Sequence, residues 1–260
     1  EASDITIVDN SFASITRAVM WGRSLYRNIQ RFILFQMTVT MAACFIVLIS
    51  ALLGMETPLT VTQMLWVNLI MDTFAAMALA SLPPSMTVMK DAPRKREDFI
   101  IDTPMWANIL SVGAIFTVLI LGLAYVTNTY DIKSLADLLN LSALAPQSGV
   151  SPYERSLMFT LFVMFQFWNM FNARTYRSER GLFSLHHGKG FITIALAIVV
   201  GQIAIVELLY NFFNVQPMFH TADWAFNAEG FKDWLIIVLL SSLVLWLREA
   251  WRYVGRRLAR

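Results

Sequence analysis

An all-α membrane protein, a bundle of six transmembrane helices, is the fold class this sequence predicts, on three observations. Hydrophobic residues make up 57% of the 260 and charged residues only 15%, against about 45–50% and about 25% in an ordinary globular domain. Mean hydropathy is +0.57, and six long apolar stretches carry the excess, each near the ~20 residues that a bilayer crossing needs. The basic residues, finally, cluster in every second connection between those stretches. A net charge of +2 gives no reason to expect nucleic acid as a partner. The single cysteine, Cys44, lies inside an apolar stretch and rules out a disulfide framework.

Taken in order, the chain opens on Glu1 rather than Met, and residues 1–10 are polar with no signal-peptide pattern, so the sequence reads as a piece of something longer. No Pro or Gly interrupts Arg23–Thr40, and Leu25, Ile29, Phe32 and Ile33 follow helical spacing. This predicts a rod running from an aqueous stalk into span one, Phe32–Leu53. Span two is Val61–Ser81 and span three Met105–Thr127. The connection Asn128–Arg155 holds a short helix at Ile132–Leu141 and a Pro/Gly/Ser-containing stretch, Ala145–Pro152. Span four, Leu157–Phe171, is short and interrupted by Gln166 and Asn169; spans five and six are Phe191–Phe213 and Phe231–Leu247. No fixed-period repeat or low-complexity tract is visible.

Lysine and arginine set the orientation, because cytoplasmic loops retain positive charge. Arg17, Arg23, Arg27 and Arg31 precede span one; Lys90, Arg94, Lys95 and Arg96 follow span two; Arg174, Arg177, Arg180 and Lys189 lie between spans four and five; Arg248, Arg252, Arg256, Arg257 and Arg260 close the chain. These are 17 of the 20 basic residues, which leaves Lys133, Arg155 and Lys232 opposite. Both termini are therefore expected in the cytoplasm. The outer loops carry Glu56, Asp131, Asp137, Glu154, Asp223, Glu229 and Asp233, read as solvated charge.

Ionisable groups at membrane depth cost several kcal/mol and mark ion or proton pathways. Two acids qualify, Asp72 and Glu207. In α-helical geometry Asn68 and Asp72, four apart, share a face and offer a carboxylate and an amide carbonyl to a hard cation. Calcium takes about 6–8 oxygens, so further ligands must come from elsewhere. Span one adds Gln36 and Thr40, again four apart, although a membrane threonine commonly bonds its own backbone. Gln166 and Asn169 of span four serve either as ligands or as interhelical hydrogen-bonding groups. An Asp72 paired with a neighbouring helix is the plain structural alternative to a ligand. Glu207, near the outer end of span five, reads as structural or interfacial, satisfied by water or Tyr210, with proton handling as the other reading. His186 and His187 lack the further ligands of a zinc site. No phosphate-binding glycine motif is present.

Two stretches resemble a known family. Gln63-Met64-Leu65-Trp66-Val67-Asn68-Leu69-Ile70-Met71-Asp72-Thr73, followed by Ala78-Leu79-Ala80 and Pro83-Pro84, resembles the sixth span of P-type calcium ATPases. Glu1–Ile5, Asp9–Phe12 and Gly22–Ile29 look like that family's chain leaving the phosphorylation domain, while Phe35–Val39 and Phe171–Arg174 look most like the plasma-membrane, calmodulin-regulated branch. The resemblance implies the C-terminal transmembrane half of a pump that couples ATP hydrolysis, through an aspartyl phosphate, to Ca2+ export. The six spans would be family spans five to ten. Residues 1–20 would be the remnant of the phosphorylation domain, 21–31 the cytoplasmic stalk and 32–260 the membrane domain. Partners would be the missing N-terminal half and the lipid bilayer, at the plasma membrane, with any cytoplasmic regulator unidentified. ATP and Mg2+ would bind elsewhere in the full-length pump, and no residue here is catalytic.

Carried over by position, the implied ion ligands are Asn68 and Asp72, with Thr40, Gln36 and Gln166 beside them. Thr40 stands where plasma-membrane pumps have an Asn, a departure that weakens the site, since a hydroxyl is a poorer ligand than an amide carbonyl. Ala43 and Met71 replace oxygen donors of two-calcium pumps, which favours one calcium per cycle. Pumping of Mn2+ or H+ is the alternative. A secondary cation transporter would call for inverted repeats and broken spans in both halves, which the sequence lacks.

Overall fold

The computed structural model describes residues 6, 8, 11–95, 97–147, 149–178, 189–221 and 223–258. Among them, six long helices account for the six predicted stretches and no strand is present; two isolated bridges pair Tyr130 with Pro146 and His220 with Phe226. We number the long helices α1 (Phe12–Leu52), α2 (Val61–Ala80), α3 (Thr103–Thr129), α4 (Pro152–Arg174), α5 (Lys189–Leu208) and α6 (Ala228–Leu258).

At about 1.5 Å per residue, the 41 residues of α1 reach roughly twice the ~30 Å hydrocarbon thickness. The predicted rod is one continuous helix. It stops at Gly54, whose φ of 67° suits the left-handed turn. There the Met55 amide donates to the Ser50 carbonyl and the Gly54 amide to that of Ala51, the two bonds of a Schellman C-cap. Capping boxes start α2 at Thr60/Gln63 and α4 at Ser151/Glu154, while Asp102 caps α3 by accepting from the Met105 amide at 2.9 Å.

Four helices, α1, α2, α3 and α5, are long and apolar enough to cross a membrane. α4 falls short on composition, while α6 carries the apolar runs Leu235–Leu240 and Leu243–Leu245. For α4 the reason is position: it packs on α1, α3, α5 and α6, and Thr160, Gln166, Asn169 and Asn172 are all buried. A helix wrapped by protein need not dissolve in lipid. Outward faces of the other helices are greasy, with Val118 68%, Leu196 62% and Leu239 66% exposed, as a lipid-facing surface requires. The chain is an all-α membrane domain.

Several expectations change. The predicted helix Ile132–Leu141 is instead two 3-10 turns, Leu135–Leu139 and Leu141–Ala143. Glu154 and Asp233, read as solvated, are buried. Glu154 accepts from the Ile132 and Ser151 amides and from Gln147 Nε2. Asp233 accepts from the Leu135 amide, Ser134 Oγ and the Tyr153 hydroxyl. Both carboxylates stitch the loop between α3 and α4 to helix ends, because each finds backbone donors that water would otherwise serve. The expected phosphorylation-domain edge over residues 1–10 falls, apart from Thr6 and Val8, outside the described residues, as do Arg96, Arg180, His186, His187 and Arg260.

Candidate intramembrane cation site

The site forms where α1 meets α2. Phe35, Val39, Val67, Met71 and Ala75 are fully buried around it. This packing keeps water out and raises the cost of any charge left alone. Asp72, 5% exposed, accepts a 2.7 Å hydrogen bond at Oδ2 from Gln36 Nε2. Its Oδ1 and Gln36 Oε1 are also buried, and neither has a hydrogen-bond partner among the described residues. Gln36 thus spends its donor on the carboxylate and leaves its acceptor open. Two orphaned acceptor oxygens, one of them the carboxylate's own, are an arrangement that a bound cation would relieve.

The segment ahead of Asp72 is not α-helical. Trp66–Met71 form a π turn, and the Asp72 amide donates to the Val67 carbonyl, five residues back. A π turn bonds i to i+5 and widens the helix locally, which changes the angle between residues four apart. Asn68 is exposed while Asp72 is buried, so the described helices bring Asp72, and not Asn68, into contact with Gln36. The same turn leaves the Asn68 carbonyl without the Asp72 amide that an α-helix would give it. Thr40 is half-buried on α1, one turn beyond Gln36. Gln166 is fully buried on α4, and among the described residues neither its Oε1 nor its Nε2 has a hydrogen-bond partner, Gln36 and Asp72 included. The structure therefore links Asp72 with Gln36, and sets Asn68 apart on the outside of α2.

Among the described residues no group of three or more His, Cys, Asp or Glu stands ready to hold a metal. One carboxylate and a few neutral oxygens fall short of the ~6–8 that Ca2+ takes. As a part of a site, however, the donor set is of the right kind: hard, oxygen-only and carrying one negative charge.

Glu207 behaves differently. It accepts from the Met218 amide at 3.1 Å and the Phe219 amide at 2.9 Å, rather than from Tyr210, and so anchors the loop that follows α5. One feature escaped the sequence reading. Gln202 lies fully buried mid-way along α5 and accepts from the Trp66 indole N–H at 3.1 Å. The signal available was an amide, with Gly201 beside it, interrupting an otherwise apolar run.

Residues 56–254 match the family described as cation transporting ATPase, C-terminus. The human plasma membrane calcium-transporting ATPase 3 is 36% identical over 98% of this chain and 21% of its own length. The plasma membrane calcium-transporting ATPase 2 of Oreochromis mossambicus is 37% identical over 84% of this chain and 19% of its own length. The plasma membrane-type calcium-transporting ATPase 12 of Arabidopsis thaliana is 38% identical over 82% of this chain and 19% of its own length. The chain thus spans about a fifth of the length of these relatives. With a match over most of its length and a buried carboxylate–amide pair between two of its apolar helices, the chain belongs to the C-terminal domain family of cation-transporting ATPases.

Proposed function

We propose that this chain is the C-terminal membrane half of an ATP-driven P-type pump that exports Ca2+ from the cytoplasm, and that it supplies part of the intramembrane ion site. All six long helices cross the bilayer with both ends cytoplasmic, residues 1–20 belong to the phosphorylation domain, and 21–31 form the stalk. ATP and Mg2+ act on the rest of the pump. The observation that carries the reading is the buried Asp72 beside Gln36, each with an acceptor oxygen unused. Asp72 supplies the charge, Gln36 orients it and adds a carbonyl, and Thr40, Gln166 and Asn68 complete the set as the partner helices close in. A divalent ion beside one carboxylate remains half-neutralised in a low-dielectric medium, so the other half of the pump must bring at least one more acid.

Replacing Asp72 by Asn keeps the shape and removes the charge. In the full-length pump, Asp72→Asn should abolish Ca2+-dependent phosphorylation by ATP while phosphorylation from inorganic phosphate, which requires no bound Ca2+, persists. Normal calcium transport by that variant would overturn the assignment. Thr40, a weaker donor than Asn, favours a second reading in which the ion is Mn2+ or H+; phosphorylation that responds to Mn2+ and not Ca2+ would select it.

A further inference from the structure

We infer that Gly201 and Gln202 of α5 clamp Trp66 and so hold the π turn of α2 in the register that places Asp72. This rests on the proposed role of Asp72 in binding the transported cation. Trp66 is the first residue of the π turn and is 8% exposed. Two successive residues of α5 hold its ring. Gly201 leaves room for it: a Cβ there would lie 2.8 Å from Trp66 Cη2 and 3.2 Å from Cζ2, so even alanine would push the indole aside. Gln202 supplies the acceptor for the indole N–H.

A small residue and a buried amide often do no more than let two membrane helices approach. Three observations point further here. Gln202 Nε2 has no hydrogen-bond partner among the described residues, so the bond to Trp66 accounts for an amide at this depth. The ring it grips starts a π turn, a rare conformation that a helix adopts under a specific constraint. The link to the ion site is also short: Val67, the residue after Trp66, offers the carbonyl that takes the Asp72 amide. Moving the indole therefore moves the backbone bond on which Asp72 hangs. Relaxation of the turn to α-helix would rotate Asn68 and Asp72 relative to one another and re-aim the carboxylate against Gln36. α5 touches no ion-site side chain through these contacts; it acts through Trp66 as a positioning element.

The test uses the full-length pump in membranes and measures phosphoenzyme by two routes, from ATP as a function of cation and from inorganic phosphate without it. Whichever of Ca2+ or Mn2+ supports the first route in the unmodified pump is the cation titrated, so the clamp is tested even if the calcium reading fails. Gly201→Ala and Gln202→Leu should each raise the cation concentration for half-maximal phosphorylation by about three- to tenfold, the loss of roughly one buried hydrogen bond or its equivalent, and leave phosphate-driven phosphoenzyme unchanged. Gln202→Glu, which keeps an acceptor oxygen, should restore the cation dependence to within about twofold, and Trp66→Phe combined with Gln202→Leu should be no worse than either alone. Cation dependence unchanged in both Gly201→Ala and Gln202→Leu would overturn the inference. Parallel loss of both routes, which marks a folding defect, would overturn it as well.

Discussion

Thr40 and His220 show how much a single side chain's partners decide. Thr40 sits one turn past Gln36 and offers one neutral oxygen, which water can replace at little cost. Thr40→Ala in the full pump should therefore shift the calcium dependence of phosphorylation by less than about fivefold, whereas Asp72→Asn removes it; equal losses would mean that Thr40 is a principal ligand. His220 lies in the loop after α5, with Nδ1 2.9 Å from the Thr221 carbonyl and Nε2 3.0 Å from the Glu207 carbonyl. Only the doubly protonated ring donates to both. These bonds, to Thr221 first and Glu207 second, push its pKa above the ordinary value of 6.5, against a small opposing cost of burial, and the Glu207 carboxylate 3.9 Å away adds to the rise. Its other ring neighbours, Tyr210 and a stacked Trp224, carry no charge near neutral pH. A raised folded-state pKa stabilises fully below the unfolded value and is lost as pH rises through the folded one. Hydrogen-exchange protection of the Met218 and Phe219 amides should accordingly be higher at about pH 6 than at about pH 8, and His220→Gln should flatten that difference. The same pH trend in the variant would exclude His220 as its source.

Among the elements, α1 was the most legible and the π turn the least. An uninterrupted, helically spaced run predicts the rod, and local sequence suffices for that. What the sequence leaves out is how the rod is braced. Arg27 pairs with Asp91, Arg23 donates to the Val88 and Asp91 carbonyls, Asn28 to the Leu82 carbonyl, Gln30 to that of Ile100 and Arg31 to that of Tyr176. Arginines that read as a charge signal are thus also struts, joining the first half of α1 to the loop after α2 and to the end of α4. The candidate site divides the same way. Asp72 and Gln36 stood out because a polar group at membrane depth needs a reason. The exposure of Asn68 did not, because burial depends on which helices pack against α2, and those lie elsewhere in the chain. For Glu154 and Asp233, likewise, the partners are backbone amides 22 and 98 residues away. The braced rod carries its own prediction. Inserting two glycines at Asn28 breaks both the helix, at about 1 kcal/mol per glycine, and the strut to Leu82. In the full pump this should leave ATP turnover measurable while calcium transport per ATP falls severalfold; unchanged coupling would mean that movement does not travel through α1.

At the scale of the whole molecule, the distribution of charge and the composition of the helices give different span counts, and the difference is testable. Among the described residues, length and apolarity alone pick out α1, α2, α3 and α5. If those four were the full set, α4 would remain outside with Arg174, Arg177 and Lys189, against the retention of basic loops in the cytoplasm. The loop 214–227 would then be inside. With six crossings those basic residues return to the cytoplasm and 214–227 lies outside. The polarity of α4 does not weigh against its crossing, because its Gln166, Asn169 and Asn172 are covered by neighbouring helices. Uncharged polar side chains covered by neighbouring helices are a recognised means of helix–helix association in membranes. Two epitope insertions in the full pump separate the topologies, one after Leu139, which is 91% exposed, and one after Asp223, which is also exposed. Six crossings predict that antibody reaches both from outside intact cells, and that an epitope at the C-terminus is reached only after permeabilisation. Four crossings predict that the Leu139 epitope alone is reached from outside. An epitope at Asp223 that required permeabilisation would remove α4 and α6 from the set of spans and return the 17-to-3 division of basic residues to coincidence.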